Sequence, residues 1–154
     1  MNKSYNYKDF RIEILYEDSD IAILNKPSGL LTHKKNEFDE SPSLQDSLKD
    51  QFTIDDSENF KEGIVHRLDK DTSGIIVITK NLISKNKFRE MFKKRNIKKN
   101  YLAFAYGVLN QNNIEINRNI TRNKVQRTKF NISDDLGKNA ITKVSNIKTF
   151  HGSI

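Results

Sequence analysis

The chain has 154 residues, of which 35% are hydrophobic and 31% charged, with a formal net charge of +7 and no cysteine. That is one domain by length, with a modest core and a heavily charged surface. Disulfides and thiolate metal sites are excluded, and no apolar stretch approaches the roughly 20 residues that cross a bilayer.

The first seven residues, Met1 to Tyr7, lack the apolar run of a secretory signal. Asp9 and Glu13 arrive too early for a transit peptide. A cytoplasmic location is the expectation. Residues 12–16 and 20–25 are short apolar stretches around Glu17-Asp18-Ser19, a set of turn formers. They predict a β-hairpin. Lys26-Pro27-Ser28-Gly29 then breaks the strand and reads locally as a turn carrying a surface lysine. His33 has no second metal-ligand residue at a suitable spacing and is assigned no role.

Residues 34–42 read as a loop. Ser41 followed by Pro42 fits an N-cap with proline at the first helical position. Leu44, Leu48 and Phe52 recur at helical spacing, predicting a short helix over 42–51. An acidic irregular stretch follows at 53–61. Gly74 then opens a β-branched run, Ile75-Ile76-Val77-Ile78, that predicts a strand over 74–79 covered on both faces. Before it lies a dense polar loop: His66, Arg67, Asp69, Lys70, Asp71, Thr72 and Ser73. A polar loop fixed to the start of a buried strand is a rigid mount for chemistry. Asp69 is the candidate reactive group, with Arg67 and Lys70 near enough to keep a partly buried carboxylate ionised. The alternative is a hydrogen-bonded loop whose charges only face water.

Asn81 is a good N-cap for a helix running to about 95. Phe88, Met91 and Phe92 form its apolar stripe, with the lysines and arginines largely opposite. From Tyr101 to Leu109 the residues alternate like a strand. Further strands are predicted at 114–120, 130–132 and 140–150, with a basic loop at 121–129 and a turn at 134–137. No internal repeat or linker divides the chain. Residues 37–62 lean acidic, whereas 85–99 and 118–129 are strongly basic. Such a one-sided field attracts a polyanion, RNA above all. Its bland counterpart is a solvated face that keeps the protein soluble. Asp69 and Asp71 alone are thin support for a metal-dependent nuclease.

His66-Arg67-Leu68-Asp69, followed by Thr72-Ser73-Gly74 and an aliphatic strand, resembles the catalytic motif of the RluA-type pseudouridine synthases. Tyr16-Glu17-Asp18 and Asn25-Lys26-Pro27-Ser28-Gly29-Leu30 resemble that family's first motif, whose Lys-Pro segment lies beside the active-site cleft, so the resemblance implies the same place for Lys26-Pro27. Lys99-Asn100-Tyr101-Leu102-Ala103 resembles its second, and Gly137-Lys138-Asn139-Ala140-Ile141-Thr142 a later stretch. The resemblance implies an α+β fold, a mixed and largely antiparallel sheet with helices packed on it, in a single catalytic domain over 1–154. It implies isomerisation of uridine to pseudouridine in ribosomal or transfer RNA, with no cofactor, metal or membrane partner. Asp69 would be the catalytic carboxylate. Arg67 would fill the space left by the extruded base, and Tyr101 would pack on that base. A third motif, approximately Thr-Gly-Arg-Thr-His-Gln-Ile-Arg, has no counterpart, so the domain is expected to be incomplete at its C-terminus. Its arginine, which pairs with the catalytic aspartate, has no clear equivalent; Arg122 and Arg127 are the local substitutes. The alternative function is an inactive RNA-binding remnant of such an enzyme.

Overall fold

In a computed structural model, described for residues 3–36, 38–54, 63–109, 111–126, 129–145 and 148, the backbone forms two compact units, residues 1–100 and 101–154. In the first, β1 (Lys3–Tyr7), β2 (Phe10–Glu17), β3 (Ile21–Lys26) and β4 (Gly74–Thr79) make a four-stranded sheet in that order, antiparallel throughout. The predicted hairpin is β2–β3. Its turn is held by Asp18, whose carboxylate accepts from the backbone N–H groups of Asp20 and Ile21 at 2.8 Å each. Those bonds, the Ile21 amide foremost, hold the Asp18 carboxyl below its usual range.

One face of this sheet carries the core. Ile12, Ala22, Leu24, Ile76 and Ile78 pack with Leu30, Leu44, Leu48, Phe52 and Ile64. The other face is only partly covered, and Ile75 is 62% exposed. The β4 run is therefore buried on one face, not two. It pairs antiparallel with β3, and antiparallel sheets commonly leave one face to solvent.

The first helix, α1 (Leu44–Leu48), begins two residues later than the sequence predicts. Ser43, not Ser41, is its cap: extended backbone there lets the hydroxyl accept from the Asp46 amide at 3.1 Å. Pro42 lies outside the helix because its carbonyl accepts from the Leu31 amide, part of a bridge between Leu31 and Ser43. Leu44, Leu48 and Phe52 face the core as their spacing indicates.

The second helix, α2 (Leu82–Lys93), is capped by Asn81, whose side chain accepts from the Ser84 amide at 2.9 Å. Asn81 also donates to Asp20, and Ser84 donates to the Asp20 carbonyl, so the helix start is pinned to the β2–β3 turn. Phe88, Met91 and Phe92 are half-buried. Lys85, expected on the outer face, is buried at 5% exposure. Its place in the second helical turn, beside buried Ser84, puts it on the protein side.

The second unit is a three-stranded antiparallel sheet in the order β6-β5-β7, from β5 (Ile114–Arg122), β6 (Phe130–Ser133) and β7 (Lys138–Val144). The start of the predicted basic loop, Thr121 and Arg122, is strand, because both residues pair with β6. Gly137 takes φ +101°, and a Cβ there would lie 2.5 Å from the Ile120 carbonyl oxygen. The β7 strand ends at Val144; the rest of the predicted 140–150 strand lies mostly outside the described residues. Residues 101–109 are not a strand. Leu102, Phe104 and Tyr106, one side of the predicted alternation, are 93%, 89% and 94% exposed. Among the described residues no strand pairs with this segment, and alternation alone does not make a strand without one.

Candidate active site

The polar loop before β4 hangs on one apolar residue. Leu68 is buried, while Arg67 and Asp69 on either side of it are exposed. Local alternation thus sends the two functional candidates outward from a common anchor. Asp69 is exposed, and among the described residues neither it nor Arg67 forms an ion pair.

The loop backbone is held almost residue by residue. Thr32 Oγ1 donates to the Leu68 carbonyl at 2.7 Å and accepts from the Leu68 amide at 3.3 Å. The Thr72 amide donates to the Asp69 carbonyl at 3.2 Å. The Lys70 carbonyl accepts twice, from the Gly29 amide and from Lys26 Nζ, each at 3.0 Å. Ser28 Oγ donates to the Asp71 carbonyl at 2.8 Å. All but one of these partners come from residues 26–32, the segment that leaves β3. Gly29 takes φ +86°, a left-handed conformation that favours glycine and turns its amide toward Lys70. One strand exit therefore clamps the loop at the entrance of the next strand. That entrance is adjacent, since Lys26 pairs with Gly74 in the sheet.

His66 fixes the other end. Its Nε2 accepts from the Val77 amide of β4 at 2.9 Å, so the proton of the neutral ring sits on Nδ1. The Phe92 ring covers it at 4.8 Å between centroids. Burial first, and then the charge of Lys99, push the His66 pKa down to about 4. The ring is neutral at ordinary pH, as its acceptor role requires.

Arg67 and Asp69 are thus brought together on one braced loop. Tyr101 is 64% exposed and begins the second unit. Arg122 lies in β5, its guanidinium 5.5 Å from the Phe130 ring centroid. Arg127 lies outside the described residues. Lys26, read from the sequence as a surface turn residue, is fully buried. The signal was present: Ala22 and Leu24 face the core, so period two sends Lys26 there as well. Among the described residues no group of three or more His, Asp or Glu side chains is placed to hold a metal ion.

Residues 20–153 match the RNA pseudouridylate synthase family. The chain is 38% identical over 138 residues to the ribosomal large subunit pseudouridine synthase D of Borreliella burgdorferi, covering 86% of this chain and 41% of that protein. It is 35% identical over 142 residues to the ribosomal large subunit pseudouridine synthase C of Rickettsia bellii, covering 92% and 45%. The chain therefore spans less than half the length of these relatives. Among solved structures, human RNA pseudouridylate synthase domain containing 1 superimposes with a TM-score of 0.68 at 23% identity, over 86% of this chain and 50% of that one. At that identity the match supports a shared fold: α+β, with antiparallel sheets. With its first sheet, its braced Arg67–Asp69 loop and a family match over most of its length, the chain belongs to the RluA-type branch of the RNA pseudouridylate synthases.

Proposed function

We propose that this chain carries the reacting carboxylate of an RNA pseudouridine synthase, with Asp69 as the catalytic residue and Arg67 and Tyr101 as substrate-binding residues. The single observation that carries the reading is the clamped loop, which presents an exposed Asp69 beside Arg67 at the mouth of β4. Catalytic side chains need a mount that does not move when the substrate arrives.

The reaction is an isomerisation. The N1–C1′ bond of uridine breaks, the uracil turns, and C5 bonds to C1′. C5 then loses its proton and N1 gains one, so no oxidant, reductant or cofactor is required. Extruding the base costs a few kcal/mol of lost stacking. Arg67 is suited to offset part of that cost, because a planar guanidinium stacks in the vacated space. Asp69 engages the base or C1′ as a nucleophile. Tyr101 supplies an apolar ring face for the extruded base and a hydroxyl near its C5 proton. The exposed Lys87, Arg89 and Lys93 of α2 provide phosphate contacts that position RNA without reading its sequence. The names of the bacterial relatives favour ribosomal RNA of the large subunit as substrate, and transfer RNA is the alternative. An RNA substrate and the absence of cysteine fit a cytoplasmic setting.

The test is tritium release from RNA labelled at uridine C5. Asp69→Asn is expected to lower release at least about 10³-fold. RNA affinity should stay within about threefold, because phosphate contacts supply most of it. Release that survives the substitution would assign the chemistry to another group.

A further inference from the structure

The second sheet carries an amide-rich face. Asn119 of β5 stands directly opposite Ser133 of β6 on one side and Asn139 of β7 on the other. Residues so paired send their side chains to the same face, and Asn117, two residues back along β5, joins them. Asn119 and Ser133 are half-buried, and Asn117 and Asn139 are exposed. With Arg118 and Asp134 they line a cleft of about 280 Å³, close to the lower bound of small-ligand sites at about 300 Å³.

The hydrogen bonds inside the cleft leave a defined remainder. Asn119 Nδ2 donates to the Asp134 carbonyl at 3.2 Å. A backbone carbonyl only accepts, so the orientation of this amide is fixed and its Oδ1 is unspent. Asn139 Nδ2 donates to Asn117 Oδ1 at 2.6 Å. Whichever way those two amides are turned, one keeps a donor and the other an acceptor. Ser133 Oγ accepts from the Leu136 amide at 3.1 Å, which ties the link between β6 and β7 to the same face.

Arg118 and Asp134 carry opposite charges, so the lining has no net charge with which to hold a phosphate. Neutral amides suit the edge of an unpaired base, where donors and acceptors lie side by side. The fixed oxygen of Asn119, added to the acceptor kept by the other pair, calls for a ligand group with two N–H donors. An exocyclic amino group is such a group. Adenine, cytosine and guanine have one, and uracil does not.

We propose that this cleft binds an unpaired RNA base bearing an exocyclic amino group, held by Asn117, Asn119 and Asn139, and so reads a nucleotide other than the uridine that reacts. That the ligand is RNA rests on the functional reading above. The cleft itself lies within the second unit and does not use Asp69.

The test uses the full chain with ¹⁵N-labelled asparagine and three RNA pentamers. One is adenylate. The second is purine riboside, which stacks alike but lacks the amino group. The third is an abasic ribose-phosphate oligomer. Adenylate should shift the side-chain NH2 signals of Asn117, Asn119 and Asn139, and bind at least about fivefold more tightly than the purine riboside pentamer. The abasic pentamer should leave those signals in place. Equal affinity for the two purines overturns the proposal, as do equal shifts with the abasic oligomer or adenylate binding that moves none of these signals.

Asn139→Ala, at an exposed position, should bring the affinity ratio of the two purines to within about twofold, with the β5 and β7 backbone signals otherwise unchanged. A ratio that stays fivefold places the discrimination elsewhere and also overturns the proposal. If that variant does not fold, the shifts in the unmodified chain decide. None of these readouts needs tritium release, and Asp69→Asn should bind adenylate as the unmodified chain does. A chain that discriminates the pentamers but releases no tritium keeps the cleft and loses the functional reading. Tritium release without discrimination does the reverse.

Discussion

A neutral imidazole at position 66 ties stability to pH. The folded pKa is about 4, against 6.5 for a free histidine. Below 6.5 the unfolded chain binds a proton that the folded chain refuses, so stability falls as pH drops from 6.5 to 4 and levels beneath that. Discounted for partial exposure, the loss is about 2 kcal/mol. Chemical denaturation at pH 7 and pH 4.5 measures it. His66→Gln, which keeps an acceptor for the Val77 amide and does not titrate, should flatten this part of the profile. Glu17, held down by Lys80, and Asp18 lose their own stabilisation lower still, within the carboxylate range. At this scale the sequence made legible the exposed polar loop that carries Asp69 and Arg67, because it is polar against an aliphatic strand. The local reading alone was misleading for Lys26, where residue type suggests surface and alternation indicates core. A charged residue type weighs toward solvent unless its hydrogen-bond partners are known, and three backbone carbonyls, those of Pro27, Leu30 and Lys70, leave no mark in sequence.

Helix α2 shows what an element's end requires. The Asn96 amide donates to the Met91 carbonyl at 2.9 Å and the Arg95 amide to Phe92 at 3.1 Å, a Schellman ending. Its left-handed position is filled by Arg95 at φ +57°, where glycine carries no Cβ penalty. Arg95→Gly is expected to stabilise the protein by about 0.5–1 kcal/mol, read from the urea midpoint at unchanged slope. No change would mean that the glycine's extra freedom in the unfolded chain cancels the relief of strain. The helix itself was legible, from Asn81 to the Phe88, Met91 and Phe92 stripe, because capping and periodicity are local. The β2–β3 hairpin was legible for the same reason. The α1 start was off by two residues: Ser41 and Ser43 both suit a cap, and the choice fell to the bridge between Leu31 and Ser43, a contact distant in sequence. The segment 101–109 has the alternation of a strand but no pairing strand among the described residues, and partnership is not encoded locally.

Across the whole molecule the apolar interior is unevenly shared. Among the described residues every buried hydrophobic side chain lies between Ile12 and Ile78. In the second unit, Ile116, Phe130 and Ile132 are 47%, 60% and 70% exposed. Backbone pairing without burial gives little protection against opening. Native-state hydrogen exchange should therefore find slow amides in β2, β3 and β4, and amides in β5 and β7 exchanging at least 100-fold faster. Equal protection in both sheets would show that the second sheet is buried in solution. The clamp on the Asp69 loop has a consequence for variation in chain length. Its two halves, residues 26–32 and 66–72, are separated by 33 residues that close one long loop. The entropy of closure grows only logarithmically, so doubling that excursion costs about 0.6 kcal/mol. Insertions within the 53–61 stretch should leave the Asp69 carboxylate where it stands, so the surface around that loop can be remodelled without shifting it.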